Sequence, residues 1–325
     1  MRLRRNRWAR RLVALAVVAV AFAVVLPRVA NYGEVWGQLR QLGPGSLVAL
    51  AVVTALNLAT FAPPLMAALP GIGFRHAFVA TQASTASTYV APGGAAVGIA
   101  FMFLLLRRTG FRGQAVALAV ALTGLWNQLV LLGFPALALG LLTLTGGHNP
   151  LLKTVGVIGL ALFAAALVLF GLALASDHAA RRAGRLLARV TSRWDAELIL
   201  RFRAQAVELL RRRWLQLTLA TLAGQLTVFV VLLASLRTLG VEGGEVSLVE
   251  AFAAWSIVRL VGSLPITPGG IGIVEVGLTT ALVGFGGDRA EVVAAVLVYR
   301  FLTIVPTLVL GLALGPTLRR APQSV

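Results

Sequence analysis

The sequence predicts an all-α, polytopic membrane protein, a bundle of transmembrane helices, and three observations support this. Hydrophobic residues make up 58% of the 325 residues, and the mean hydropathy is +0.89, which is more than a water-soluble domain buries in one core. The apolar residues form long stretches, and a spanning helix needs about 20 of them. The 29 Lys and Arg residues outnumber the 11 Asp and Glu residues and lie mainly between those stretches.

The chain begins with a basic stretch that precedes the first apolar segment, residues 12–26. We interpret this segment as a signal anchor rather than a cleaved signal peptide, because Arg28 stands where a peptidase requires a small residue and more apolar segments follow. The second pass covers residues 47–69. Pro63 and Pro64 lie within it, so we expect the helix to kink or end there.

The third apolar segment, residues 74–106, is divided by a Pro-Gly-Gly sequence into two halves, neither comfortably long enough to span a bilayer. Its first half carries a polar run, TQASTAST at 81–88. Residues 115–144 and 151–175 follow as two long passes joined by a short turn. The sequence therefore predicts one broken helix pair and one helical hairpin.

The second half of the chain repeats this order. Residues 176–213 are rich in arginine, with aromatic and aliphatic residues between the charges. They predict a cytoplasmic basic amphipathic loop that suits a helix lying on an anionic leaflet. The alternative is a solvated loop whose arginines only fix orientation. A pass at 214–236 follows. Two short apolar halves, 251–264 and 271–285, then precede a final pass at 292–314.

The arginine-rich blocks all fall on one side of this arrangement, which the positive-inside rule assigns to the cytoplasm. The N-terminus, residues 107–112, residues 176–213 and the C-terminus lie on that side. The connection that contains Glu242 and Glu245 lies on the other side. The assignment is the same whether each broken pair re-enters or spans twice. We therefore expect a cell-membrane protein with both termini in the cytoplasm.

An internal duplication is indicated by the two Pro-Gly-Gly sequences, at 92–94 and 268–270, which lie 176 residues apart. Each is followed by an apolar half-helix and then by a long segment that contains a proline, Pro135 or Pro306. Because the first pair opens from the cytoplasm and the second from outside, the halves form an inverted repeat, as in transporters. The alternative is a common turn in a chain with 34 glycines and 13 prolines. The predicted organisation is a single membrane domain over 1–325, with a first repeat at 12–175, the basic segment at 176–213 and a second repeat at 214–318.

Three ionisable residues, Arg259, Glu275 and Arg300, lie inside predicted membrane segments. Each costs about 2.5–3.5 kcal/mol at a helix centre, so such residues are retained for function or pairing. Arg259 precedes the second Pro-Gly-Gly turn and Glu275 follows it at a similar distance, so the two could pair within a hairpin. Arg300 has no acidic residue near it in the sequence and is the first candidate for contact with a phosphate.

Glycine pairs that precede a helix allow backbone N–H groups to converge on an anion. The broken segments also imply an internal polar pocket, because interrupted backbone is tolerated at membrane depth only where protein or water covers it. The substrate-binding candidates are thus Arg300, Arg259, Glu275, Gly269, Gly270, Gly93, Gly94, Thr267 and Tyr299.

The sequence LPITPGGIGIVE at 264–275, followed by VYRF at 298–301, resembles the lysylphosphatidylglycerol synthase transmembrane region, or flippase-like, family. In that family the membrane region, fused in some members to a cytoplasmic aminoacyl-transferase domain, is associated with moving aminoacylated phospholipid between leaflets. The sequence ends at Val325, so the resemblance implies a stand-alone member. The lipid stays open among aminoacyl-phosphatidylglycerol, another anionic phospholipid and a polyprenyl lipid.

Other function classes find little support in the residues. The chain has no cysteine and 3 histidines, and its few aspartates form no metal motif, so we expect no metal, no cofactor and no enzyme activity. The basic charge lies between membrane segments, which argues against nucleic acid. Two alternatives remain: a membrane-embedded transferase that acts on a lipid phosphate, and an accessory subunit that docks through residues 176–213. The sequence also allows a homo-oligomer.

Overall fold

The computed structural model describes residues 37, 40, 42–90, 94–144, 150–175, 196–264 and 267–318. Every regular element in these ranges is helical, which confirms the predicted class. The predicted pass at 12–26, Gly93 and the first part of the basic segment, residues 176–195, lie outside the described residues. Within the described ranges, 4 helices are long and apolar enough to cross a membrane: Pro44–Ala68, Gly113–Leu142, Arg201–Thr238 and Arg289–Thr317.

The helices follow one another with short connections. In chain order they are α1 (Pro44–Thr60), α2 (Ala62–Ala68), α3 (Phe74–Val90), α4 (Gly94–Arg108), α5 (Gly113–Leu144), α6 (Pro150–Ala175), α7 (Ala196–Thr238), α8 (Leu248–Gly262), α9 (Ile273–Gly284) and α10 (Arg289–Leu314). Single 3₁₀ turns lie at Pro268–Gly270 and Gly315–Thr317.

The predicted interruption of the second pass is confirmed. Helix α1 ends at Thr60, and α2 begins at Ala62, directly before Pro63 and Pro64. Proline has no N–H to donate, so the backbone hydrogen bonding of one continuous helix cannot pass through this pair. The predicted prolines of the two long segments, Pro135 and Pro306, lie inside α5 and α10.

The two broken segments each form a pair of short helices packed against each other, α3 with α4 and α8 with α9. Glycines allow the close approach: a Cβ at Gly98 would stand 2.3 Å from Oγ1 of Thr88, and one at Gly277 would stand 3.0 Å from Val258. Helix α9 has 12 residues, which at ~1.5 Å per residue is shorter than the ~30 Å hydrocarbon core. That length favours a re-entrant pair over two full spans.

The described part of the basic segment is helical, as an amphipathic helix requires, but it is not separate from the following pass. Helix α7 runs without a break for 43 residues, so residues 196–213 extend the pass at 214–236 instead of connecting to it. Phe202, Ala206 and Leu210 recur at helical spacing and pack with α2 and α5 in one apolar cluster. The apolar face that was expected to meet lipid is therefore covered by protein here, while Arg211 and Arg212 are exposed.

The core that positions the second broken pair is aromatic. Phe134 of α5, Phe229 of α7, and Phe252 and Trp255 of α8 contact one another with ring centroids 5.2–5.8 Å apart. The first broken pair is held by α10, because α3 packs on that helix. A Cβ at Gly311 would stand 2.4 Å from the carbonyl oxygen of Gln82, so only glycine allows this approach.

Candidate functional site

The second Pro-Gly-Gly sequence forms a tight turn between α8 and α9. Gly269, Gly270 and Gly272 have φ values of 63°, 69° and 86°, a left-handed conformation that glycine adopts at little cost. The N–H of Gly270 donates to the carbonyl of Thr267 at 3.2 Å. The ring of Tyr89, at the end of α3, lies directly against Gly269, since a Cβ there would stand 2.0 Å from Cδ1 of Tyr89. The turn of one broken pair thus contacts a helix end of the other.

A buried ion pair fixes this turn to α10. Nε of Arg300 donates to Oε1 of Glu275 at 2.6 Å, and the two side chains are 2% and 14% exposed. Arg300 also donates through Nη2 to the carbonyl of Gly269 at 3.2 Å. The second carboxylate oxygen of Glu275 accepts from the N–H of Gly272 at 2.7 Å, at the start of α9. One arginine and one glutamate therefore join the turn, α9 and α10.

The predicted pairing of Glu275 with Arg259 is wrong. Both residues do lie near the turn, but the carboxylate is engaged by Arg300, which comes 25 residues later. Helices α9 and α10 pack side by side, and this tertiary contact brings the two residues together. The sequence indicated Arg300 as the arginine without an acidic partner. In the structure Arg300 is paired with Glu275, and Nε of Arg259 has no described hydrogen-bond partner.

Arg259 lines a cavity whose wall is mostly apolar and carries several polar side chains. No described residue accepts a hydrogen bond from its Nε, although this atom is buried. Five helices supply the wall, and the space between their side chains, including the part open to the surroundings, is about 460 Å³. The lining residues are Asn57 and Leu58 of α1, Phe61 directly after it, Gln82, Thr85 and Tyr89 of α3, Val228 of α7, Arg259 of α8, and Thr303 and Thr307 of α10.

Only some polar residues of the cavity wall were indicated by the sequence. Gln82 and Thr85 line the cavity and belong to the polar run at 81–88. Thr303 and Thr307 were missed. They stand three and seven positions after Arg300 in α10, which is the spacing of one helix face, so the signal was available in the sequence.

The remaining described candidates, Gly94, Thr267 and Tyr299, are not among the residues that line the cavity. Gly94 begins α4 with a φ of 39°. Oγ1 of Thr267 is buried, and no described residue hydrogen-bonds to it. Tyr299 is buried in the aromatic cluster, and its hydroxyl lies within electrostatic range of Arg259, Arg300 and Tyr89. Among the described residues, no group of three His, Cys, Asp or Glu side chains could hold a metal ion.

The model of the family described as "Lysylphosphatidylglycerol synthase TM region" matches residues 11–311 of the chain. The chain belongs to this family. The match includes both broken helix pairs, the ion pair and every residue that lines the cavity. No curated protein is matched by the chain.

The spanning helices and the family match together show that this member of the lysylphosphatidylglycerol synthase TM region family is a multi-pass membrane protein. The family is lipid-related. The candidate site of the protein is the cavity between α1, α3, α7, α8 and α10. The ion pair holds the turn at 268–270, and Gly269 of that turn lies against Tyr89 of the cavity wall.

Proposed function

We propose that this protein translocates an anionic phospholipid between leaflets, with the lipid phosphate bound to Arg259 in the cavity and the acyl chains left in the bilayer. The single observation that carries the proposal is a buried guanidinium Nε that no described residue satisfies, placed in the wall of a cavity with several polar side chains. An ionic group of this kind costs several kcal/mol when it is left unpaired in a medium of low dielectric constant. An anion from outside the chain would supply the missing partner.

A phosphodiester fits this position by its chemistry. A guanidinium binds phosphate oxygens through short, charge-assisted hydrogen bonds, often two in parallel. The cavity wall adds the neutral polar side chains of Asn57, Gln82 and Thr85, which suit the uncharged part of a head group. Apolar surface on the outside of the bundle, such as Leu125 and Leu137 of α5, suits the lipid tails.

Arg300 and Glu275 take a positioning role in this proposal. Their charges cancel, and their hydrogen bonds hold the turn at 268–270 beside Tyr89. Since Tyr89 also lines the cavity, the ion pair controls the shape of the site through the turn. Gly269 and Gly270 act in the same way, by allowing the backbone to turn there.

We further propose that the exposed arginines of the extension of α7 gather anionic lipid on the cytoplasmic face. Arg211 lies on its exposed side, next to the exposed pair of Arg212 with Glu208, and each basic residue near an anionic leaflet contributes about 1 kcal/mol of attraction. Both termini would then lie in the cytoplasm by the positive-inside rule.

The test is leaflet exchange of labelled anionic phospholipid in proteoliposomes that contain the full chain, with protein-free liposomes as the baseline. The wild type should exceed the baseline, and Arg259→Gln should lower the protein-dependent rate by about 10- to 100-fold, the equivalent of a charged hydrogen bond of about 1.5–3 kcal/mol. Arg75→Gln is the matched control, since Arg75 is exposed in the first turn of α3. Equal rates for Arg259→Gln and wild type would refute the assigned role. No exchange of any lipid would favour the transferase or the accessory subunit.

A further inference from the structure

We infer that the contact between α5 and α7 is a second binding site, which takes the head group of a phospholipid on its way between the membrane surface and the cavity. We call this contact the amide seam. It is formed by Trp126, Asn127 and Gln128 of α5 and by Thr218 and Gln225 of α7. The inference rests on the proposed function and adds the route by which the head group reaches the cavity, which the translocation proposal leaves open.

One face of α7 runs from the exposed arginines to the cavity wall. Its residues recur at intervals of four and three positions, which keeps them on the same side of a helix: Trp214, Thr218, Thr221, Gln225 and Val228. Trp214 is exposed and follows directly after the arginines at 211–213, whereas Val228 lines the cavity. Polar side chains therefore lie on α7 between its basic end and the cavity.

Polar side chains of α5 meet this face of α7 at two points. Nε1 of Trp126 donates to Oγ1 of Thr218 at 2.8 Å, and Nε2 of Gln225 donates to Oδ1 of Asn127. Asn127 in turn donates to Oε1 of Gln128 at 3.4 Å. Gln128 is exposed and lies at the middle of the 30-residue span that begins at Gly113. An exposed amide at this depth faces hydrocarbon unless a polar group covers it, and it is costly to keep there.

The contact between the two helices leaves part of the amide seam without partners. Gln225 is 2% exposed, and its Oε1 is buried without a hydrogen bond from any described residue. The described residues also supply no acceptor for Nε2 of Gln128. An amide pair that only joins two helices can be replaced by apolar side chains at little cost, so the unpaired groups need another reason. They match a phospholipid head group, whose hydroxyl or ammonium group donates and whose phosphate oxygens accept.

The residues of the amide seam carry no charge, and this suits a transient binding site. A neutral hydrogen bond is about half as strong as one made to a charged group, so the seam binds a phosphate more weakly than Arg259 does. Gln128 and the half-buried Asn127 lie on the outer side of the seam, and Gln225 stands one turn before Val228 of the cavity wall. The head group therefore passes from weaker to stronger binding as it moves inward.

The experiment is photo-cross-linking in proteoliposomes of phosphatidylglycerol that contain the full chain. A side chain with a diazirine group is introduced at Gly124, which lies one turn before Gln128 and has open space at its Cβ, so the amides stay in place. The control carries the same group at Leu162, which is 55% exposed in the middle of α6. We expect adducts to the glycerol head group at position 124, and adducts to acyl chains alone at position 162. Acyl-chain adducts alone at both positions, or an adduct to a second copy of the chain at position 124, would overturn the inference.

Replacement of the buried acceptor tests the same site by rate. Gln225→Leu should lower both the yield of head-group adducts at position 124 and the rate of leaflet exchange by about 2- to 10-fold, the equivalent of one neutral hydrogen bond. Gln114→Leu is the matched control and should change neither, because Gln114 is exposed in the first turn of α5. Equal yields and rates for Gln225→Leu and Gln114→Leu would contradict a contact between the head group and Gln225.

The outcomes separate this inference from the translocation proposal. Head-group adducts at position 124 in a protein that exchanges no lipid would refute translocation and support the amide seam as a head-group site. Leaflet exchange accompanied by acyl-chain adducts alone would refute the amide seam and leave translocation standing.

Discussion

Removal of the carboxylate of Glu275 should destabilise the protein far more than an ordinary ion pair would suggest. The pair with Arg300 has an Nε–Oε1 distance of 2.6 Å and side-chain exposures of 2% and 14%. In Glu275→Ala the guanidinium of Arg300 stays buried without a counter-charge. Breaking a buried pair from one side costs about 3–5 kcal/mol. The hydrogen bond from Gly272 is also lost, so we expect a value in the upper part of that range.

The chain supplies a matched control. Arg212 and Glu208 of α7 form a pair with the same 2.6 Å Nε–Oε1 distance, but their side chains are 77% and 56% exposed. Exposed pairs at this helical spacing contribute about 0.3–0.5 kcal/mol. Glu208→Ala should therefore leave the free energy of unfolding almost unchanged, and the contrast between the two variants isolates the effect of burial.

The assay is reversible unfolding in mixed micelles of sodium dodecyl sulfate, followed by tryptophan fluorescence. The double variant Glu275→Ala/Arg300→Met should lose less than Glu275→Ala alone, because no charge is left unpaired in it. A loss below about 1 kcal/mol for Glu275→Ala, or a double variant as unstable as the sum of the single variants, would refute the clamp at the turn.

Two further predictions concern close backbone approaches. Gly311→Ala should lower the free energy of unfolding by about 1–3 kcal/mol, because its Cβ would stand 2.4 Å from the carbonyl of Gln82. Gly124→Ala is the control, since a Cβ at Gly124 meets open space. In the same unfolding assay this variant should be neutral or slightly stabilising. Gly269→Ala should also be destabilising, and part of the loss should disappear in a Tyr89→Ala background, since the ring of Tyr89 is the group that the new Cβ meets. Equal losses for Gly311→Ala and Gly124→Ala, or for Gly269→Ala in both backgrounds, would contradict these contacts.

The fold class and most helix positions could be predicted from the sequence because they depend on local properties. Apolar length marks the passes, and Pro63 and Pro64 mark the break after α1. The continuity of α7 was not predicted, since the clustered arginines indicate a separate cytoplasmic amphipathic segment and carry no information on whether it continues into the following pass. The spacing of Phe202, Ala206 and Leu210 was the better guide.

The site could be predicted only in part, because it depends on how helices rotate against each other. Distance from the turn placed Arg259 and Glu275 at similar depths, but depth does not determine which way a side chain points. The direction follows from the packing of α8, α9 and α10, and it turns Glu275 towards Arg300 and Arg259 towards the cavity. Such a contact between distant positions has no local signal. The inverted repeat stays a prediction.

The most direct test of translocation through the cavity uses the absence of cysteine from the chain. Leu58→Cys replaces an apolar lining residue and introduces a single thiol into the cavity wall, and a bulky methanethiosulfonate reagent can then fill the space reversibly. Leaflet exchange of phosphatidylglycerol should be near wild type before modification, fall to the liposome baseline after it, and return on reduction with dithiothreitol. Exchange that continues unchanged in fully modified protein would contradict passage of the head group through this cavity.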